Sequence, residues 1–168
     1  GAAIHPGATD SPVDQINQDC SAGDVCYVDS DSDTYGSSAT LSSSDLDCVD
    51  TDVSGTTDEA NDSNDCNDLV TAINPGASEI TGDGVDQNCD GVETCWNDGD
   101  NDGYLLASPV TRASSDTDCA DANEGVNADP RTDCNDSNAD VNPSAREVCD
   151  GLDNDCDGLR DSADGCIA

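Results

Sequence analysis

Asp153, Asp155, Asp157, Gly158, Leu159, Asp161 and Asp164 stand at relative positions 1, 3, 5, 6, 7, 9 and 12 of one stretch near the C-terminus. An oxygen-only loop around a hard divalent cation needs this spacing. Side-chain oxygens at alternate positions turn inward, glycine makes the sharp bend at position 6, and position 7 offers its main-chain carbonyl. The ligands read from it are Asp153, Asp155, Asp157, the Leu159 carbonyl, Asp161 and Asp164. Asp98, Asp100, Asp102, Gly103 and Tyr104 repeat the first seven positions, with the Tyr104 carbonyl at position 7 and its ring free to pack on a small core. Asp29, Asp31, Asp33 and Tyr35 form the same ladder, with Thr34 where the turn glycine belongs.

Two further classes are weaker. Asp86, Asn88, Asp90 and the Val92 carbonyl make a loop whose position 12 is Asn97, so its closing bond must come from elsewhere. Its earlier counterpart, Asn17, Asp19 and Ser21, is too poor in carboxylates to bind well. Asp65 and Asn67 lie two apart with Glu79 beyond a Pro-Gly turn, and Asp133, Asn135 and Glu147 repeat this. A glutamate arriving after such a turn can close a coordination sphere bidentately. Hard oxygen donors favour Ca2+ over Zn2+ or Cu2+, and Mg2+ is second choice because it takes fewer protein ligands. The expected cofactor is therefore calcium, as multiple ions.

The elements that must position these groups come as repeats. Residues 3–35 align without a gap with 72–104: Cys20 on Cys89, Cys26 on Cys95, Tyr27 on Trp96, and the Asp29 ladder on the Asp98 ladder. Asp65-Cys66-Asn67-Asp68 matches Asp133-Cys134-Asn135-Asp136, and Asn142-Pro143-Ser144-Ala145 begins a third, partial copy. The expected division is 1–64, a first unit whose leading motif is truncated; 65–132, a second; and 133–168, a partial third closing the chain. No window sustains a helical period, and turn formers dominate. The fold expected is a mostly irregular, loop-rich tandem repeat with few short β-hairpins and helical turns, held by calcium ions and disulfides around a minimal hydrophobic core. Strands are expected at Val25–Val28, Cys95–Trp96 and Tyr104–Ala107, the last paired across its acidic loop. Helical turns are expected near Asn67–Ala72 and Asp136–Val141, and loops over Ser37–Ser44 and Val53–Ser63.

Composition sets the terms. Thirty-nine acidic and four basic side chains give a formal net charge of -35, with no Phe or Met, one Trp and three Tyr among 168 residues. Such charge repels itself and disfavours a compact state unless counter-charge is supplied. It also argues against nucleic-acid partners and anionic membranes, and no apolar stretch is long enough for membrane insertion. Eleven cysteines point to an oxidising, extracellular or cell-surface setting. A single His and no Lys leave little for general acid–base or nucleophilic catalysis, so no enzyme is expected.

The run Asp133-Cys134-Asn135-Asp136, then Asn142-Pro143-Ser144-Ala145-Arg146-Glu147-Val148-Cys149-Asp150-Gly151-Leu152-Asp153-Asn154-Asp155-Cys156-Asp157-Gly158, resembles the MopE-type metal-binding repeat of bacterial extracellular proteins. The resemblance implies secretion, calcium sites, little regular secondary structure and no catalysis. The namesake is similar also in holding copper through histidines and an oxidised tryptophan. Here His5 and Trp96 lie in no ligand cluster of the sequence, which makes copper the lesser expectation. Thr81 stands where the third copy has Cys149.

Repeat logic then pairs Cys66 with Cys89, Cys134 with Cys156, Cys26 with Cys48, Cys95 with Cys119, and Cys149 with Cys166. Cys20 is left over, since its partner would belong to an Asp-Cys-Asn-Asp element preceding the numbered chain. The expected role is an extracellular calcium-binding structural module that self-associates head-to-tail into a filament as a homopolymer, or that joins adjacent domains of a larger surface protein. An adhesin or docking module and a metal scavenger, for copper or another ion, are the alternatives.

Overall fold

The computed structural model describes residues 3–21, 23–49, 58–161 and 166. Asp164, the last expected ligand of the C-terminal loop, lies outside the described residues. The chain divides into two units. The first holds Gly1–Ser78 with Gln87–Asp90, and the second holds Glu79–Asp86 with Gly91–Ala168.

Each unit carries one small antiparallel sheet of the same design. In the first, β1 (Val25–Val28) lies between β2 (Thr40–Ser42) and β3 (Glu59–Ala60). Cys26 faces Leu41 on one side of β1, and Tyr27 faces Ala60 on the other. In the second, β4 (Thr94–Asn97) lies between β5 (Thr111–Ala113) and β6 (Glu124–Gly125), with Cys95 opposite Arg112 and Trp96 opposite Gly125. The central strands form where β-branched, aromatic and cysteine side chains cluster, the composition a half-buried pleat accepts. Their cysteines are fully buried and disulfide-bonded, Cys26 to Cys48 and Cys95 to Cys119.

The five disulfides expected from the repeats are all present, the others being Cys66–Cys89, Cys134–Cys156 and Cys149–Cys166. Cys20 is free and exposed. The apolar core is as thin as the composition requires. Among the described residues it consists of Cys26, Cys48 and Ala60 in the first unit and Cys95, Leu105, Cys119 and Val141 in the second. The two cores fill the same corner differently. A Cβ on Gly125 would come within 2.6 Å of the Leu105 side chain, whereas Gly36, which stands where Leu105 does, would place its own Cβ 2.8 Å from that of Ala60. A large residue facing glycine in one copy is replaced by glycine facing alanine in the other.

Local expectations were only partly met. Tyr104–Ala107 forms no hairpin with β4; it contributes a single parallel bridge, Leu106 to Asp133, because β4 already has β5 and β6 on its two edges. Ser37–Ser44 is not all loop, since it contains β2, and the described part of Val53–Ser63 contains β3. These edge strands are short and polar, and pairing with the buried centre defines them. The expected helical turns are successive four-residue turns, each closed by a bond from residue i+3 to residue i. Val70 donates to the Asn67 carbonyl and Ile73 to Val70, and Asn138 donates to Asn135 and Val141 to Asn138.

The turn preceding each Cys-containing loop is built alike three times. His5 donates its amide to the Gln18 carbonyl at 2.9 Å, Asn74 to Gln87 at 2.8 Å, and Asn142 to Asn154 at 2.9 Å.

Candidate metal centre

An acidic loop without helical or sheet hydrogen bonds must satisfy its amides some other way. Here the first aspartate of each loop does so. Asp29 accepts the amide of Thr34 at 2.9 Å, Asp98 that of Gly103 at 3.0 Å, Asp86 that of Gly91 at 2.9 Å and Asp153 that of Gly158 at 2.9 Å. All four bonds join position 1 to position 6 and close the loop into a ring. The aspartate at position 5 then accepts the amide at position 7: Asp33 from Tyr35, Asp102 from Tyr104 and Asp157 from Leu159. Position 6 has positive φ, near +80° to +95°, in Gly103, Gly91 and Gly158. Thr34 adopts φ +83° without being glycine.

The two Tyr-containing ladders are then joined by residues far away in sequence. In the first unit the Asp65 amide donates to the Gly36 carbonyl at 3.0 Å, and in the second the Asp133 amide donates to the Leu105 carbonyl at 3.0 Å. This brings the Asp-Cys-Asn-Asp element beside the ladder in each copy. Asp29, Asp31 and Asp33 place carboxylate oxygens within 4.8 Å of one another, and Asp31, Asp65 and Asp68 do the same. Asp98, Asp100 and Asp102 form the matching group, with the charges of Asp133 and Asp136 upon Asp100. Asp68 is fixed by the amide and hydroxyl of Ser30, at 2.7 and 2.9 Å. Its counterpart Asp136 is fixed by the Gly99 amide at 2.6 Å and the Asn97 side chain at 2.9 Å. Asp68 and Asp136 were missed among the candidate ligands, although the matched Asp-Cys-Asn-Asp elements contain them both.

Both oxygens of Asp31, Asp33 Oδ2 and Asp65 Oδ2 are buried and have no hydrogen-bond partner among the described residues. So do both oxygens of Asp100, Asp102 Oδ2 and Asp133 Oδ2. The same four atoms recur in the two copies. Such groups are costly unless paired with a proton or a cation. Burial, and then the charges of Asp33 and Asp65, raise the carboxyl of Asp31 above its ordinary range. Burial raises Asp65 against the lowering effect of the Asn67 amide. Asp100 and Asp102 are raised by burial too, opposed in Asp102 by the Tyr104 amide that it accepts and in Asp100 by the nearby Asn138 amide, which is itself given to the Asn135 carbonyl. Oxygen donors of this density fit a hard divalent ion.

Other expected ligands are placed differently. Glu147 is buried and uses its oxygens for the amides of Asn154 and Asp161, each at 2.8 Å, so it braces the C-terminal loop. Glu79 lies in the second unit beside Glu93, whereas Asp65 belongs to the first. Asn67 donates its amide to Asp65 at 2.8 Å, and Asn135 accepts the Ser137 hydroxyl at 2.7 Å on its side chain. In the C-terminal loop Asp155 accepts the Asp157 amide, and Asp161 the Gly151 amide; Asp157 and Leu159 are exposed. Asn88, which accepts the Asp90 amide, and Asp90 belong to the first unit; Asp86 and Val92 belong to the second. The Tyr104 hydroxyl bonds the Ser144 hydroxyl, and the Tyr35 hydroxyl would touch a Cβ on Gly76, the residue matching Ser144. Both ladder tyrosines thus reach the Asn-Pro turn of the motif that follows, not an apolar core.

The cysteines beside Asp65 and Asp133 are disulfide-bonded and offer no thiolate to a metal. His5, which is exposed, contacts the carbonyl of neighbouring Pro6. Among the described residues no helix is long and apolar enough to cross a membrane.

Comparison with protein families matches the model described as "Putative metal-binding motif" (Cu-binding MopE) at residues 1–24, 65–93 and 133–162. No curated protein and no solved structure gives a significant match. The matched segments contain the three Cys-containing loops and both Asp-Cys-Asn-Asp elements; the Tyr ladders lie between them. With three copies of its motif along the sequence, the chain belongs to the MopE-type metal-binding motif family.

Proposed function

We propose that this protein is an extracellular structural module whose metal is calcium. One observation carries the reading: the same four buried carboxylate oxygens lack partners in both copies. The site in the first unit is Asp29, Asp31, Asp33, the Tyr35 carbonyl, Asp65 and Asp68. In the second it is Asp98, Asp100, Asp102, the Tyr104 carbonyl, Asp133 and Asp136. The Asp153 loop, with Asp155, Asp157, Leu159 and Asp161, is an additional, more exposed site of lower affinity. Copper is disfavoured because the donors are carboxylates and the nearby sulfurs are oxidised to disulfides.

Calcium would neutralise several carboxylates at once and pin the Asp-Cys-Asn-Asp element to the ladder, so binding free energy becomes folding free energy. The role is mechanical, not catalytic. Five disulfides are in keeping with an oxidising location outside the cell. Calorimetric titration of calcium into chelated, disulfide-intact protein tests the assignment. The tightest class of sites should weaken in both Asp31→Asn and Asp100→Asn. An isotherm unmoved by either substitution would refute it.

Self-association into a filament is supported by Cys20. It is exposed and unbonded, yet it holds φ +61°, against +58° for Cys89 and +59° for Cys156, its disulfide-bonded counterparts. A second copy whose Asp-Cys-Asn-Asp cysteine exchanges its disulfide onto Cys20, releasing that cysteine's former partner as the new free thiol, would complete the pair. Oligomers on a non-reducing gel that disappear in Cys20→Ser are the expected result. Unchanged oligomers, or none in the wild type, would count against a disulfide-linked filament.

A further inference from the structure

Outside the ladders, one buried acid in the second unit has no explanation in the reading given so far. Glu93 immediately precedes β4 and is fully buried, and neither of its carboxylate oxygens has a hydrogen-bond partner among the described residues. The carboxylates facing it are Glu79 and Asp83. The turn that carries them is pinned beside it, for the Gly82 amide donates to the Thr94 carbonyl at 2.8 Å and the Gly82 carbonyl accepts the Asn127 amide at 2.8 Å.

The first unit supplies the control. Asp24 stands where Glu93 stands and is equally buried. Its backbone is held in the same way: the Asp24 amide donates to Asp45 and the Ser43 amide to Asp24, as the Glu93 amide donates to Asp116 and the Ser114 amide to Glu93. Val13 donates to Val25 as Gly82 does to Thr94. The side chains part company. Asp24 accepts the Gln15 amide at 2.7 Å and the Val25 amide at 2.8 Å. Asp10, in the place of Glu79, accepts the Gln18 amide at 2.8 Å. One copy thus satisfies its buried acid with protein donors. The other has a longer acid at the same point, turned toward two more carboxylates.

We propose that Glu93, together with Glu79 and Asp83, holds a further divalent cation in the second unit, a hard ion such as calcium, separate from the Asp98 ladder. A buried carboxylate that faces like charges, with only the Gly82 amide nearby to favour its charge and that amide already given to the Thr94 carbonyl, needs a cation or a proton. All three donors are oxygens, which selects for calcium-type ions over soft metals. The site stands whether or not the ladders are filled.

Native mass spectrometry of the full disulfide-intact chain at saturating calcium decides the matter. Glu93→Gln keeps the size of the side chain and should carry one calcium fewer than wild type. Asp100→Asn should lose its ion independently, so that the double variant lacks two. The same calcium count in wild type and Glu93→Gln would overturn the proposal, and is the outcome expected if Glu79 and Glu93 merely share a proton. Should Glu93→Gln fail to fold, Asp83→Asn on the exposed rim serves in its place: one class of sites should weaken roughly tenfold, and an isotherm identical to wild type would overturn the proposal. An unchanged calcium count in Asp100→Asn, with one ion still lost in Glu93→Gln, would refute the ladder assignment alone.

Discussion

The Asp133 amide donates to the Leu105 carbonyl at 3.0 Å, and this bond sets the acid of a cysteine-containing motif against a ladder that ends one residue earlier, at Tyr104. Asp65 and Gly36 repeat it in the first unit. Two segments that look like separate half-sites thereby become one site, whose carboxylates repel one another unless a cation lies among them.

The effect of Asp100→Asn should therefore change sign with calcium. In chelated protein it removes a buried charge surrounded by Asp98, Asp133 and Asp136 and should raise stability. In calcium it removes a ligand and should lower affinity about tenfold or more. Thermal melts of both proteins, with and without chelator, read the crossover. A substitution that destabilises equally in both conditions would indicate a packing role.

Thr34 bears the strain of a turn made for glycine. At φ +83° its Cβ crowds the backbone at a cost of roughly 1–2 kcal/mol, part of which glycine's greater unfolded-state entropy takes back. Thr34→Gly should raise the melting temperature of the first unit and leave the Asp98 ladder's calcium affinity unchanged. A lower melting temperature would show that the threonine side chain contributes more than its backbone costs.

Gly125 and Leu105 should behave as a matched pair. A methyl on Gly125 would meet the fully buried Leu105 side chain at 2.6 Å, so Gly125→Ala should destabilise by about 1–3 kcal/mol. Adding Leu105→Ala, which costs about 2–5 kcal/mol alone, should give a total well below the sum. Strict additivity in denaturant unfolding would mean that the two do not compete for the same space.

Much of this was written in the chain, and the reasons for the rest are physical. The loops announce themselves because position 1 to position 7 is a local geometry, fixed by aspartate and glycine. Four of the disulfides follow because each closes a segment that recurs, and Cys149–Cys166 ties the C-terminal loop. The union of Asp65 with Asp31, or of Asp133 with Asp100, is a long-range contact made by one main-chain hydrogen bond, and main-chain bonds leave no mark on residue type. Glu147 has the spacing of a ligand, yet the amides of Asn154 and Asp161 claim it first. Glu93 is indistinguishable in sequence from any acid flanking a strand; its burial alone sets it apart. The edge strands were illegible because Thr40–Ser42 and Glu59–Ala60 are polar and take their conformation from β1.

Acidity should affect the free and loaded protein in opposite senses. Asp31, Asp65, Asp100 and Asp102 have carboxyls raised above 3.8 in the folded chain, mainly by burial. A raised carboxyl favours the fold while it is protonated, and this contribution is lost as pH rises through the folded value. Chelated protein should thus lose stability as pH climbs from 3.8 toward neutrality. With calcium present, protons compete with the ion for the same oxygens, and stability should instead fall as pH drops through that window. Melting temperatures recorded against pH in calcium and in chelator should cross. Parallel curves would mean that these four acids do not bind the ion.

The most direct measurement is the melting temperature of the disulfide-intact protein under non-reducing conditions, first saturated with calcium and then stripped by chelator. If calcium ions complete the interior of each unit, the stripped protein should melt far lower, or show no cooperative transition, and should recover when calcium is restored. Identical cooperative melts in the two states would contradict the account.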